Sequence, residues 1–247
     1  MFNAYFCWGL KAMLDNNRRR YGSTGAAFEV WKKHLVSLGY GYKLGVDLPG
    51  EGRGFIPNEN YYNKIYGEGR WSANTIISVS IGQGEILATP LQIANLGAAI
   101  ANRGWFITPH VVKEIQDTVL PEIYTTKRYP TIDRRHFEEV AEGMRMAVTG
   151  GTCRLANLPD IEVCGKTGTA QNPHGKDHSA FLGFAPYHNP KIAICVYVQN
   201  AGFGATYGVP IGSLLIERYL KGSIAPERKY IEDNMLNSNT LIFSPKQ

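Results

Sequence analysis

No stretch of the 247-residue chain reaches the roughly 18 to 20 consecutive apolar residues that a membrane-spanning helix needs, and no signal peptide opens it. By itself that composition supplies neither an anchor nor an export route. Cysteine is scarce: Cys7, Cys153, Cys164 and Cys195 are the whole set, and none lies at the C-x-x-C spacing that metal and redox sites use. Buried free thiols are expected, with no metal and no cofactor. Basic character is thin as well. A net charge of +5 is modest for this length, and apart from Arg18-Arg19-Arg20 and Lys32-Lys33 the basic residues are scattered, which argues against nucleic acid as a partner. Apolar content is not lacking: at 44% it supports a sizeable core in one or two globular units and excludes disorder as the default.

Two amphipathic helices open the chain in this reading. The first runs from Asn3 through Trp8, Leu10, Met13 and Leu14 to the arginine cluster. The second spans 25–38, with Phe28, Trp31, Leu35 and Leu38 at helical spacing and Gly39 as its stop. Residues 39–74 are rich in Gly, Tyr, Asn and Pro and read as a long irregular excursion, either lining a site or serving as a packed connector. Residues 75–80 read as a short extended run before the Gly82-Gln83-Gly84 turn. Thr89-Pro90-Leu91-Gln92 combines an N-cap, a proline at the first helical position and a glutamine three residues after the cap, which makes a capping box. The helix behind it is apolar almost all round, so it should be buried and end near Gly104.

After Trp105, residues 107–112 suggest a strand near a sheet edge, given Pro109, and 117–130 a surface excursion. Asp133 can cap a helix whose core stripe is Phe137, Val140, Ala141, Met144 and Val148, closed by Gly150-Gly151. Three strands follow at 161–170, 179–185 and 191–198, the last two joined tightly across 186–190. A closing helix spans 207–220, with Leu214, Leu215 and Tyr219 available to pack on the sheet. The polar stretch 223–247 shows little periodicity and is expected to be a mobile tail.

In the first of these strands, Cys164-Gly165-Lys166-Thr167-Gly168-Thr169-Ala170-Gln171 sets one lysine among small residues, leaving room for a ligand backbone to approach. Its Lys-Thr-Gly-Thr resembles the K-T-G element of penicillin-binding proteins and class A β-lactamases. Ile81-Gly82-Gln83-Gly84-Glu85-Ile86-Leu87-Ala88-Thr89-Pro90-Leu91-Gln92 resembles the I-G-Q-G…A-T-P-L-Q signature of class B penicillin-binding proteins, and both Ala180-Phe181-Leu182-Gly183-Phe184-Ala185-Pro186 and the Gly45-to-Glu51 turn fit the same family. The resemblance runs from about residue 3 to 220 and is nearest to the elongation-type, penicillin-binding protein 2 group. It implies an α+β penicillin-binding/β-lactamase-like fold, an antiparallel sheet flanked by helices, as a partial transpeptidase domain over 1–222.

What the resemblance implies for chemistry is serine acyl transfer on D-alanyl-D-alanine stem peptides, with β-lactams acylating the same serine. Carried over by position, Lys166 supplies positive charge for the substrate carboxylate and assists proton movement. Thr167 and Thr169 offer hydroxyls to that carboxylate, with Gly168 leaving space between them. The Thr169 amide is one of two oxyanion donors, a contact that can be worth ~3 kcal/mol of barrier lowering. Asn3 holds the substrate amide and orients the catalytic lysine. Family members are anchored in the inner membrane with this domain outside it, and elongation-machinery membrane proteins are implied as partners.

The family's nucleophile sits in S-x-x-K, and no serine of this sequence has lysine at that spacing. In the family that motif lies upstream of S-x-N. Asn3-Ala4-Tyr5-Phe6 resembles the continuation of S-x-N, with Met1 where the serine belongs. A truncated chain is therefore expected, inactive alone, lacking its N-terminal strands and the S-x-x-K helix, with an aggregation-prone edge at 192–198. Two other readings share the residues: a serine β-lactamase fragment, which I-G-Q-G…A-T-P-L-Q disfavours, and a non-catalytic module that recognises peptides or partner proteins. His174 and His178 beside the K-T-G strand read as surface residues, with Asp177 the nearest carboxylate, and the Gly202-Phe203-Gly204 turn has no assigned role.

Overall fold

Ser23 separates the first two helices, α1 (Asn3–Tyr21) and α2 (Thr24–Ser37), and its hydroxyl caps the second by accepting the Ala26 amide at 3.0 Å. The computed structural model describes residues 3–238, so the Met1 position and the last nine residues of the expected tail lie outside the described residues. The chain divides into one unit of Met1–Gln92 with Phe106–Ile132 and a second of Ile93–Trp105 with Asp133–Gln247.

The first unit is built around Phe28. Its ring stacks on Trp31 at 5.2 Å and meets Tyr62 and Trp71 edge-on at 5.5 and 6.0 Å, while Leu10 and Leu14 of α1 complete the same core. The excursion 39–74 contains a helix that composition did not announce, α3 (Glu59–Tyr66), capped by the Asn58 side chain on the Tyr61 amide at 2.8 Å. Two turns are too short for a periodic signal, and burial of Tyr62 holds them in place. Residues 75–80 are not extended: Ile77–Ile81 is a 3-10 helix, and buried Ile76 and Val79 show the three-residue spacing that suits it. Nor is there a strand at 107–112. The Asp47 carboxylate accepts the Val111 and Val112 amides at 2.9 Å each, so those donors meet a side chain in place of a ladder, and the nearby pairing is limited to isolated Phe106–Arg128 and Ile115–Thr118 bridges among the described residues.

The unit division falls inside α4 (Pro90–Ala101), after Gln92. The capping box is present in both directions: the Thr89 hydroxyl accepts the Gln92 amide at 3.1 Å and the Gln92 side chain accepts the Thr89 amide at 3.0 Å. In the second unit, Asp133 caps α5 (Arg134–Thr149) on the Arg135 amide at 3.0 Å. Phe137, Ala141, Met144 and Val148 are buried, whereas Val140 of the expected stripe is 47% exposed. The sheet is antiparallel in the order β1 (Cys164–Ala170), β2 (His178–Ala185), β3 (Ile192–Val198), with Lys166 opposite Leu182 and Gly183 opposite Ile194. Helix α6 (Gly208–Lys221) turns Val209 and Ile216 into the core beside Phe181. Leu214 is buried as expected, but Leu215 and Tyr219 face solvent, so the packing face is offset from the expected one.

In its described part, the expected tail is structured. Pro226–Arg228 forms a 3-10 turn leading into α7 (Lys229–Leu236), and Arg228 is drawn in by the fully buried Glu217 of α6 at 2.9 Å. A polar stretch without apolar periodicity is thus fastened by this ion pair, by the bond of Arg228 to Ser213 and by burial of Ile231.

Candidate active-site strand

Strand alternation sends Lys166 to one face of β1 and Thr167 and Thr169 to the other. On its face, Lys166 enters a groove of about 310 Å³ walled by Leu96 and Ile100 of α4, Val140, Gly143 and Met144 of α5, and Leu182 of β2. It is the one charged residue lining that groove among the described residues. Its ammonium donates to the Thr167 carbonyl. Desolvation holds the Lys166 pKa below the ordinary lysine value, with only a partial opposing pull from the nearby Cys153. Burial in turn pushes the Cys153 thiol up, against smaller lowering contributions from Thr152 and Lys166.

On the opposite face the Thr167 hydroxyl lies 3.0 Å from the Thr152 hydroxyl, and the Thr169 hydroxyl accepts the Gly204 amide at 3.4 Å. No strand pairs with the outer edge of β1 among the described residues. A ligand in contact with Lys166 and both threonines would therefore lie along that edge, where an extended peptide can add to the sheet through main-chain hydrogen bonds.

The turn at 202–204 has a structural role that sequence reasoning missed. A Cβ on Gly204 would stand 2.4 Å from the Gly168 carbonyl oxygen and 2.5 Å from that of Ala180, so only glycine lets this turn lie against the K-T-G strand. Buried Ser179 holds it there: its hydroxyl donates to the Phe203 carbonyl at 2.8 Å and accepts the Gly208 amide at 3.0 Å. The latter bond caps α6, whose own preceding residue Tyr207 offers no side-chain cap. No local pattern could have shown this, because donor and cap stand 29 residues apart.

Of the candidate site residues, Lys166, Thr167, Gly168 and Thr169 are brought together on β1. Asn3 is exposed at the start of α1, in the first unit. The His178 ring nitrogen Nδ1 accepts the Asn200 amide at 3.0 Å, tying the start of β2 to the segment after β3, and Asp177 accepts the Asn172 amide at 3.2 Å within the loop after β1. His174 is exposed there. Among the described residues no group of three His, Cys, Asp or Glu side chains could hold a metal ion.

The family model of the penicillin binding protein transpeptidase domain matches residues 22–217, a span that includes α4, the K-T-G strand and the whole sheet. The chain belongs to this family. Among transpeptidase relatives, the peptidoglycan D,D-transpeptidase MrdA of Haemophilus influenzae is 33% identical over 217 residues, covering 79% of this chain and 33% of the relative. Pseudomonas aeruginosa PBP2, solved in complex with WCK 5153, superposes with a TM-score of 0.65 at 30% identity, over 88% of this chain and 49% of that one. Helicobacter pylori PBP2, solved as a complex with MreC, gives 0.66 at 26% identity over 89% and 38%. The chain thus spans about a third of the MrdA relative's length. Its fold is the transpeptidase α+β fold in partial form, and within the family it resembles the PBP2 members.

Proposed function

We propose that this chain supplies the K-T-G side of a peptidoglycan D,D-transpeptidase site. The reaction is acyl transfer: a serine attacks the D-alanyl-D-alanine carbonyl, the terminal D-alanine leaves, and the acyl group passes to an amine on another stem peptide. Lys166 attracts the substrate carboxylate and the hydroxyls of Thr167 and Thr169 bond to it. The Thr169 amide stabilises the oxyanion, and Asn3 holds the substrate amide. Nucleophile and catalytic lysine belong to S-x-x-K, which does not occur in these 247 residues, so the chain by itself does not complete the site. The whole protein would work anchored in the inner membrane with this domain outside, taking stem peptides and β-lactams and meeting membrane proteins of the elongation machinery.

One observation carries this reading: among the described residues the K-T-G lysine is the single charged lining residue of an apolar groove, where its field on a substrate anion is least screened. A second reading of the same strand, whose outer edge is open to an added peptide among the described residues, is a non-catalytic module that only binds peptides. A chimera separates the two. Residues 22–217 would replace the matching stretch of the Haemophilus influenzae relative, and labelling by a fluorescent penicillin would be read on gels and by mass spectrometry. Expected are a labelled serine in the relative's portion, a loss of about 100-fold in acylation rate in the Lys166→Ala chimera, and no covalent adduct on the isolated chain. A folded chimera that binds stem peptide but stays unlabelled, or labelling indifferent to Lys166→Ala, would overturn the proposal.

A further inference from the structure

The first unit holds a concavity that the reaction above does not use. Lys32 of α2, Arg53 of the excursion and Lys64 of α3 line a cavity of about 480 Å³ together with Phe55, Asn60 and Tyr61. Three cations thus converge from three separate elements, and no carboxylate lines the space among the described residues. Among the described residues none of the three is ion-paired. Acids on the same helices are engaged otherwise. Glu29 accepts the Glu59 amide at 2.6 Å, and Glu59 borders a different cavity of about 320 Å³. Gathering like charges without a counter-charge is unfavourable and concentrates a positive field that an anion would relieve.

The backbone under these residues is fastened. The Arg53 carbonyl accepts the buried Gln92 side chain at 3.0 Å, Phe55 exchanges hydrogen bonds with Leu87 at 2.7 and 2.9 Å, and Asn58 caps the helix that carries Asn60 and Lys64. The volume exceeds what a lone inorganic ion fills and falls in the range of small organic ligands. Phe55 and Tyr61, edge-to-face at 5.2 Å, add apolar ring surface to the cationic wall.

We propose that this cavity binds an anionic sugar, its carboxylate or phosphate held by Lys32, Arg53 and Lys64 and its ring lying against Phe55 and Tyr61. The site is independent of the reading of Lys166. Calorimetric titration of the 247-residue chain at low salt tests it with four probes: N-acetylmuramic acid, N-acetylglucosamine 6-phosphate, neutral N-acetylglucosamine and inorganic phosphate. Expected is binding of at least one acidic sugar, with the neutral sugar and inorganic phosphate at least about tenfold weaker. Binding of the carboxylated sugar alone would point to a glycan with free carboxylates, such as strands stripped of their stem peptides, of the phosphorylated sugar alone to a phosphate-bearing glycan polymer, and of both to the shared anionic chemistry. Lys32→Ala and Lys64→Ala should each weaken binding about fivefold without changing the melting temperature, and added salt should weaken it further. Lys64→Glu, a charge reversal at an exposed position, should abolish it. No binding by either acidic sugar, equal binding of the neutral sugar or of inorganic phosphate, or indifference to all three substitutions would overturn the proposal.

Discussion

Arg228 donates from Nε to the Glu217 carboxylate at 2.9 Å, and Glu217 is wholly closed to solvent. The same guanidinium reaches the Ser213 hydroxyl at 2.8 Å, and the carboxylate accepts the Ala225 amide at 3.3 Å. Removing one partner strands a buried charge, at a cost of about 3–5 kcal/mol, whereas replacing both with apolar side chains of similar volume is often near neutral. Glu217→Leu and Arg228→Met should each lower the urea-unfolding free energy by about 3 kcal/mol or more, and the double variant should recover most of that loss. Losses that simply add would show that the two side chains act independently.

Gln92 does more than complete a capping box. Its side-chain nitrogen donates to the Tyr42 and Arg53 carbonyls at 2.9 and 3.0 Å while its oxygen accepts the Thr89 amide. Thr89→Ala removes one cap bond and should cost about 1 kcal/mol. Gln92→Leu leaves two carbonyls and an amide unpaired and should cost at least about twice as much. Thermal denaturation of both variants decides, and equal losses would reduce Gln92 to an ordinary cap.

Lys166 ties the candidate site to pH. Its folded-state pKa lies below the ordinary lysine value because burial disfavours the charge. The unfolded chain therefore binds more protons in the window between the folded value and 10.5, and stability contributed at this position rises with pH across that window. Lys166→Met should be more stable than the parent at pH 7, with the gap narrowing as pH approaches 10. Paired urea titrations at the two pH values would show it, and a constant or widening gap would count against a desolvated lysine.

Strand β3 has no strand on its outer edge among the described residues, and its sequence is Ile-Ala-Ile-Cys-Val-Tyr-Val. Unpaired apolar edges template association between chains. The chain should self-associate with increasing concentration in sedimentation velocity runs, and Tyr197→Lys, at a position 38% exposed, should lower that tendency severalfold. A strictly monomeric parent at high concentration would contradict this.

The capping box, the Asp133 cap and the three strands were legible in the sequence because each rests on neighbouring residues or on a local period. Lys166, Thr167, Gly168 and Thr169 could be placed on one strand for the same reason. What sequence could not show depends on partners distant along the chain. Asp47 withdraws the amides of Val111 and Val112 from strand pairing across 64 and 65 residues, and Arg228 anchors a polar stretch through a carboxylate on another helix. The 3-10 helix at 77–81 was misread because a short apolar run fits either an extended or a helical period.

The hydroxyl of Ser179 has one further consequence, for the order in which the second unit assembles. The Gly208 amide at the start of α6 is bonded by a residue of β2, so that helix end gains its partner only once the strand is in place. Hydrogen exchange at this one amide thus reports on the sheet: its protection should rise and fall with that of β2, even though it belongs to a helix.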